Sequence, residues 1–157
     1  MSEKGHVVAG TIGSTALEAV LFPNAVCGFR WSGTARLDNI PWFVRGIACG
    51  DVVATEPDEE GMRWAGEVVR RSDNCTIRLI VLRDDGSEAA RQSVLNAFHE
   101  LGVCGEGIEP FRMVALDVPP TADLAKVQRL LKHGVAKEWW HMEEGCIPAE
   151  WRATSAG

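Results

Sequence analysis

The chain has 157 residues, a net charge of −6, an apolar fraction of 46% and a charged fraction of 24%, enough material to bury a core without disulfide or metal staples. Its acidic balance argues against nucleic-acid binding, because phosphate neutralisation requires a basic excess. No apolar run approaches the roughly 20 residues that span a bilayer, so no membrane association is expected.

Residues 1–14 are Gly-rich and weakly patterned and read as a flexible tail. Gly10-Thr11-Ile12-Gly13 lacks the preceding strand and following lysine of a phosphate loop. The apolar run 15–22 is compatible with a strand or a short helix. After a turn at Pro23-Asn24, residues 26–31 and 34–37 read as a hairpin about Ser32-Gly33. In the loop that follows, Pro41 forces Ile40 to be extended, and Trp42-Phe43 is expected to press an aromatic plug onto the sheet. Val52-Val53 begins another strand, the acidic run 56–61 a solvated hairpin tip, and 63–70 a half-buried strand.

The run Thr76-Ile77-Arg78-Leu79-Ile80-Val81-Leu82 anchors the chain: it is aliphatic and β-branched with one charge inside it, and reads as a central strand. Beyond it the period changes. Ser87 is a credible N-cap for a helix over 87–101, with Ala90, Val94, Leu95, Phe98 and Leu101 on one stripe before Gly102. Residues 111–118 read as a strand closed by Pro119-Pro120. Thr121 is expected to cap a second helix over 121–133 with Leu124, Val127, Leu130 and Leu131 inward, and 138–143 to form a last strand. The expectation is α+β: a small bent or barrel-like β lobe over 15–83, then a ferredoxin-like β-α-β-α-β lobe over 84–148 that shares the central strand 76–82, with a tail at 149–157.

Cysteines 27, 49, 75, 104 and 146 are odd in number and scattered, and the first twenty residues lack a basic segment followed by an apolar one. All five are expected as free thiols in a cytoplasm. His141-Met142-Glu143 near Cys146 shares the H-x-E of zinc deaminases without their P-C-x-x-C, so neither a metal nor any other cofactor is expected. Cys104 follows a helix C-terminus, the wrong end of the dipole for a reactive thiolate. Asp38 and Asp51 read as turn residues bonding their own loops. A charge inside an apolar strand needs a partner, so Arg78 is expected in a structural salt bridge before a ligand contact. Six tryptophans include the adjacent Trp139 and Trp140, which cannot both enter one side of a strand.

The order Asp38-Asn39-Ile40-Pro41-Trp42-Phe43, Gly50-Asp51-Val52-Val53, Ser72 to Arg78, Asp117-Val118-Pro119-Pro120 and Glu143-Glu144-Gly145-Cys146 resembles a bacterial family of uncharacterised domains, a domain of unknown function, across roughly residues 17–147. The resemblance implies a small cytoplasmic bacterial protein and supplies no catalytic role. The family often has Gly-His-Ser where Asp73-Asn74-Cys75 stands here.

Function is expected to be that of a non-catalytic interaction or regulatory module binding another protein, such as an antagonist of a toxin or enzyme. The expected surface joins Asp38, Asn39, Trp42 and Arg45 to Arg78, Trp140, His141 and Glu143. The alternative is a small hydrolase-like enzyme using Asp38, Arg78, His141 and Glu143 in a cleft between the lobes. Nucleic-acid binding would need Arg63, Arg70, Arg71, Arg78 and Arg83 on one face.

Overall fold

The computed structural model describes residues 6–9, 17–20, 33–57, 59–60 and 63–156. The chain is α+β and divides into two compact units, residues 1–72 and 73–157. The strand expected at 26–31, and Cys27 with it, lie outside the described residues.

The first unit is an antiparallel meander in which sequence neighbours pair in turn: β1 (His6–Ala9), β2 (Leu17–Val20), β3 (Thr34–Arg36), β4 (Val52–Pro57) and β5 (Arg63–Arg70). β1 falls inside the segment expected as a tail, its backbone paired with β2 from His6↔Val20 to Ala9↔Leu17. Two register shifts in the β4–β5 pairing break the simple alternation, so that Ala65 and Val68, an odd and an even position, both pack on the core of Ala35, Leu37 and Val53.

One carboxylate fastens the loop between β3 and β4. Asp51 is buried; its Oδ2 accepts from the Ala48 amide at 3.0 Å and Arg71 Nη1 at 3.1 Å, and its Oδ1 from the Ser72 amide at 2.8 Å. Leu37 and Asp51 close the loop through the Leu37 amide and the Asp51 carbonyl, 2.9 Å apart. Asp51 is thus a loop-bonding residue, as its turn position implies. In the loop expected to carry an aromatic plug, Ile40 and Pro41 are buried, Trp42 is half-buried and Phe43 is 42% exposed.

In the second unit the elements run β6 (Cys75–Val81), α1 (Glu88–His99), β7 (Cys104–Ile108), β8 (Met113–Val118), α2 (Leu124–Ala136), β9 (Trp140–Cys146) and α3 (Ala149–Ser155). Its sheet has the order β7–β8–β6–β9, antiparallel throughout. The central run is therefore an interior strand, but of this sheet alone: its partners are β8 and β9, and no strand among the described residues is common to both sheets. Cys75, Ile77, Leu79 and Val81 alternate onto one face and meet Ala90 and Phe98 of α1, Val127 and Leu131 of α2, and Trp140 and Trp151. Ser87 caps α1, its hydroxyl accepting from the Ala90 amide at 3.2 Å. α2 is capped by Asp123 in place of the expected Thr121; its carboxylate accepts from the Lys126 amide at 3.1 Å. Hydrogen bonds from the Lys126 side chain and amide hold the Asp123 carboxyl below the usual carboxylate range, so this capping contribution is lost as pH falls.

Two elements of this unit, β7 and α3, were not expected. β7, Cys-Gly-Glu-Gly-Ile, has the composition of a loop, but a Cβ at Gly105 would lie 2.7 Å from Leu95 Cδ2 and 2.9 Å from the Ala115 carbonyl oxygen, so close packing of α1 requires the glycine. The tail at 149–157 contains α3, which closes the core with the buried Trp151. Gln128 Nε2 donates to the Trp151 carbonyl at 2.8 Å, and Trp151 Nε1 to Glu144 Oε1 at 2.9 Å.

Candidate functional site on the helix-free sheet face

The alternation that sends odd residues of β6 to the helices sends Thr76, Arg78 and Ile80 to the opposite face. Register then places three rows across four strands. The first is Cys104, Asp117, Thr76 and Cys146; the second Glu106, Ala115, Arg78 and Glu143; the third Ile108, Met113, Ile80 and His141.

Arg78 is only 3% exposed, and its Nε donates to Glu143 Oε2 at 2.8 Å. The guanidinium needs room as well as a counter-charge. A Cβ on Gly145 would lie 2.6 Å from Arg78 Nη2 and 2.8 Å from Cζ, so the bare backbone of β9 makes the berth. Two of the quoted motif pieces, Thr-x-Arg and Glu-Glu-Gly-Cys, therefore meet as charge, counter-charge and space. A third meets the same sheet at its end, where Asn74 Nδ2 donates to Asp117 at 2.9 and 3.2 Å. Asp73 before it has φ 64°, a left-handed conformation that suits the glycine the resemblance has at that position.

The third row differs. Ile80, on an interior strand, is 44% exposed; Met113 and Ile108 beside it are half-buried, and Phe111, just before β8, is 55% exposed. Glu106, exposed, and Glu143, half-buried, border this apolar row.

Of the residues expected to form one surface, Arg78, His141 and Glu143 share this face. Trp140 does not: it is buried on the helical side, its Nε1 donating to the Leu131 carbonyl at 3.3 Å, because neighbouring strand residues point to opposite faces. Asp38, Asn39, Trp42 and Arg45 belong to the first unit, where Asp38 and Arg45 are exposed and the Asn39 Oδ1 is buried without a hydrogen-bond partner among the described residues. Met113, Ile108 and Glu106 were missed, and Ile80 was not counted in the surface although the period of two from Arg78 marks it as sharing that face. Arg71 is held by Asp51, Arg78 by Glu143, and Arg83 lies over the Trp139 ring at 5.4 Å.

Cys49, Cys75, Cys104 and Cys146 are not joined in disulfides. Burial, then the neighbouring Cys146, Asp117 and Glu144, push the Cys75 thiol up to about 12. At pH 8 the exposed Cys104 should alkylate with iodoacetamide in the native protein while Cys75 stays unmodified, as peptide mapping would read. Because the folded value lies above the unfolded one, Cys75 favours the folded state at neutral pH, and that contribution is lost as pH rises above about 9. Equal labelling of both thiols would contradict the placement. Among the described residues no three His, Cys, Asp or Glu side chains gather to hold a metal ion, and no helix is long and apolar enough to cross a membrane.

These elements define an α+β protein of two units with two antiparallel sheets. Residues 31–142 match the model of a domain of unknown function, DUF4265, and the chain belongs to that family. A crystal structure of a hypothetical protein from Neisseria gonorrhoeae is similar in fold, with a TM-score of 0.62 at 21% identity, covering 94% of this chain and 97% of that one. No curated protein matches the chain.

Proposed function

We propose that the chain is a non-catalytic interaction module, a regulator or antagonist, that binds a partner protein through the third row of the helix-free face. The observation that carries this reading is the apolar row Ile108, Met113, Ile80, the last 44% exposed on an interior strand and the other two half-buried, bordered by Glu106 and Glu143. Two inter-strand steps make it roughly 10 Å wide, a size suited to the apolar centre of an interface with a polar rim. The rim is acidic and residues 84–157 carry 12 acidic against 7 basic side chains, so the partner it fits is a folded protein with basic residues around an apolar ridge. The second unit is read as ferredoxin-like: two helices follow β6 and β8, and the order β7–β8–β6–β9 supports a β-α-β-β-α-β arrangement, one strand more than expected from sequence.

The test is Ile80→Asp. Its stability should stay within about 0.5–1 kcal/mol of the parent, as for a surface position. Its affinity for the protein that co-purifies with the parent from its host should fall by about 2 kcal/mol or more, some 30-fold. A variant that binds as tightly as the parent would refute the assignment of this row.

A further inference from the structure

On the other side of the second unit's sheet, the geometry points to a binding site for a free α-amino acid with an apolar side chain, in the cleft between α1 and α2. The cleft has a volume of about 270 Å³. An apolar cavity of about 150 Å³ accepts benzene, so this one has room for a phenyl-sized side chain together with its Cα.

Its walls are mostly apolar, with Arg83, Asp84 and Ser93 among the lining residues. Small residues of α1, Ala89, Ser93 and Ala97, leave one side open, and the two tryptophans form the other. Trp140 is buried and fixed by its bond to Leu131, and Trp139 stacks edge-on to both His133 (5.2 Å between centroids) and Trp140 (6.0 Å). These rings are held by the core whether or not a ligand is present.

The charged residues lining the cleft carry both signs. Arg83 Nε and Asp84 Oδ2 lie 3.9 Å apart, a long contact between two exposed side chains, with the guanidinium over the Trp139 ring. An α-amino acid presents a carboxylate and an ammonium on adjacent atoms, matching Arg83 and Asp84 in turn while its side chain enters the cleft. A simple anion would meet Asp84 unfavourably, and a simple cation Arg83.

The segment bearing this pair is held in a costly conformation. Asp84 (φ 48°), Asp85 (φ 55°) and Gly86 (φ 65°) are three successive left-handed residues. They are tied down by the Arg112–Asp85 ion pair and by Arg91 Nη1 donating to the Gly86 carbonyl at 2.6 Å. A plain connection from β6 to α1 needs no such turn; a turn that fixes two charges beside a cleft does.

The probes are L-phenylalanine, its amide, its N-acetyl derivative and glycine, titrated while following the Trp139 indole N–H resonance, with calorimetry for affinity. Phenylalanine should shift that resonance saturably. Removing either charge from the ligand should weaken binding about fivefold, as expected for exposed charge pairs, and glycine should not bind. Arg83→Gln should weaken phenylalanine about fivefold and leave the amide unchanged; Asp84→Asn should do the same for the N-acetyl derivative. Ser93→Leu, or Ala97→Leu should the first fail to fold, should fill the cleft and abolish the shift. No saturable shift up to about 10 mM, equal binding of all four probes, or indifference to a filled cleft would each overturn the site.

Discussion

Replacing Trp140 by alanine should destabilise the protein by about 3–5 kcal/mol, and replacing Gly134 by alanine should destabilise it as well, against the usual rule. In a helix interior Gly→Ala normally gains about 1 kcal/mol. Here the Trp140 ring lies over α2 at that residue: a Cβ on Gly134 would sit 2.0 Å from Cζ2 and 2.2 Å from Cε2. The ring has little freedom to yield, because it packs on Phe98 at 5.9 Å and donates to the Leu131 carbonyl. Overpacking of this kind costs about 1–3 kcal/mol. In the Trp140→Ala background the obstacle is gone, and Gly134→Ala should then stabilise. Urea unfolding of the four proteins measures this cycle. Additive effects, with Gly134→Ala stabilising in both backgrounds, would contradict the placement of the ring.

The second large effect is expected at Asp51. Its carboxylate accepts from the Ala48 and Ser72 amides, and from the Arg71 guanidinium, while the residue itself is buried. Asp51→Ala leaves two amides without acceptors at about 1–3 kcal/mol each, roughly 2–6 kcal/mol together. Asp51→Asn keeps one acceptor oxygen but sets an NH₂ group against a donor, so it should fall between parent and Ala. Arg71→Ala should cost much less, since half of the Arg71 side chain is in solvent. Urea unfolding with the three variants gives the order; an Asp51→Ala protein as stable as the parent would show that the loop does not depend on this carboxylate.

Periodicity made much of the second unit legible. The aliphatic run became β6, and the stripes through Phe98 and Leu131 became α1 and α2. Arg78, a charge in that run, found the counter-charge its burial demands. What pairs with what was not legible, because an apolar pattern reports burial and says nothing of the neighbour: β6 was expected to serve two sheets and serves one. Gly105 and Gly107 hid β7: both look like loop residues, although Gly105 is required by close packing of α1. α3 is too short, with Trp151 its one large apolar residue, to produce a stripe. Trp140 was counted with His141 by proximity along the chain, although strand alternation separates them. Alternation puts Ile80 on the same, partly open face as Arg78, but its exposure depends on what leaves the third row uncovered, which periodicity does not report. The motif pieces of the resemblance read most directly as architecture. Gly50 and Asp51 with Ser72 make the loop fastening, and Arg78, Glu143 and Gly145 the berth for one guanidinium.

Hydrogen–deuterium exchange of the purified complex against the free protein tests the proposed interaction surface most directly. The backbone amides of residues 78–81, 106–108 and 113, with 141–143 on β9, should gain protection when the partner binds, and those of α1 and α2 should not. Protection confined to the helices, or to the loop of residues 38–46, with the third row exchanging as in the free chain, would contradict it.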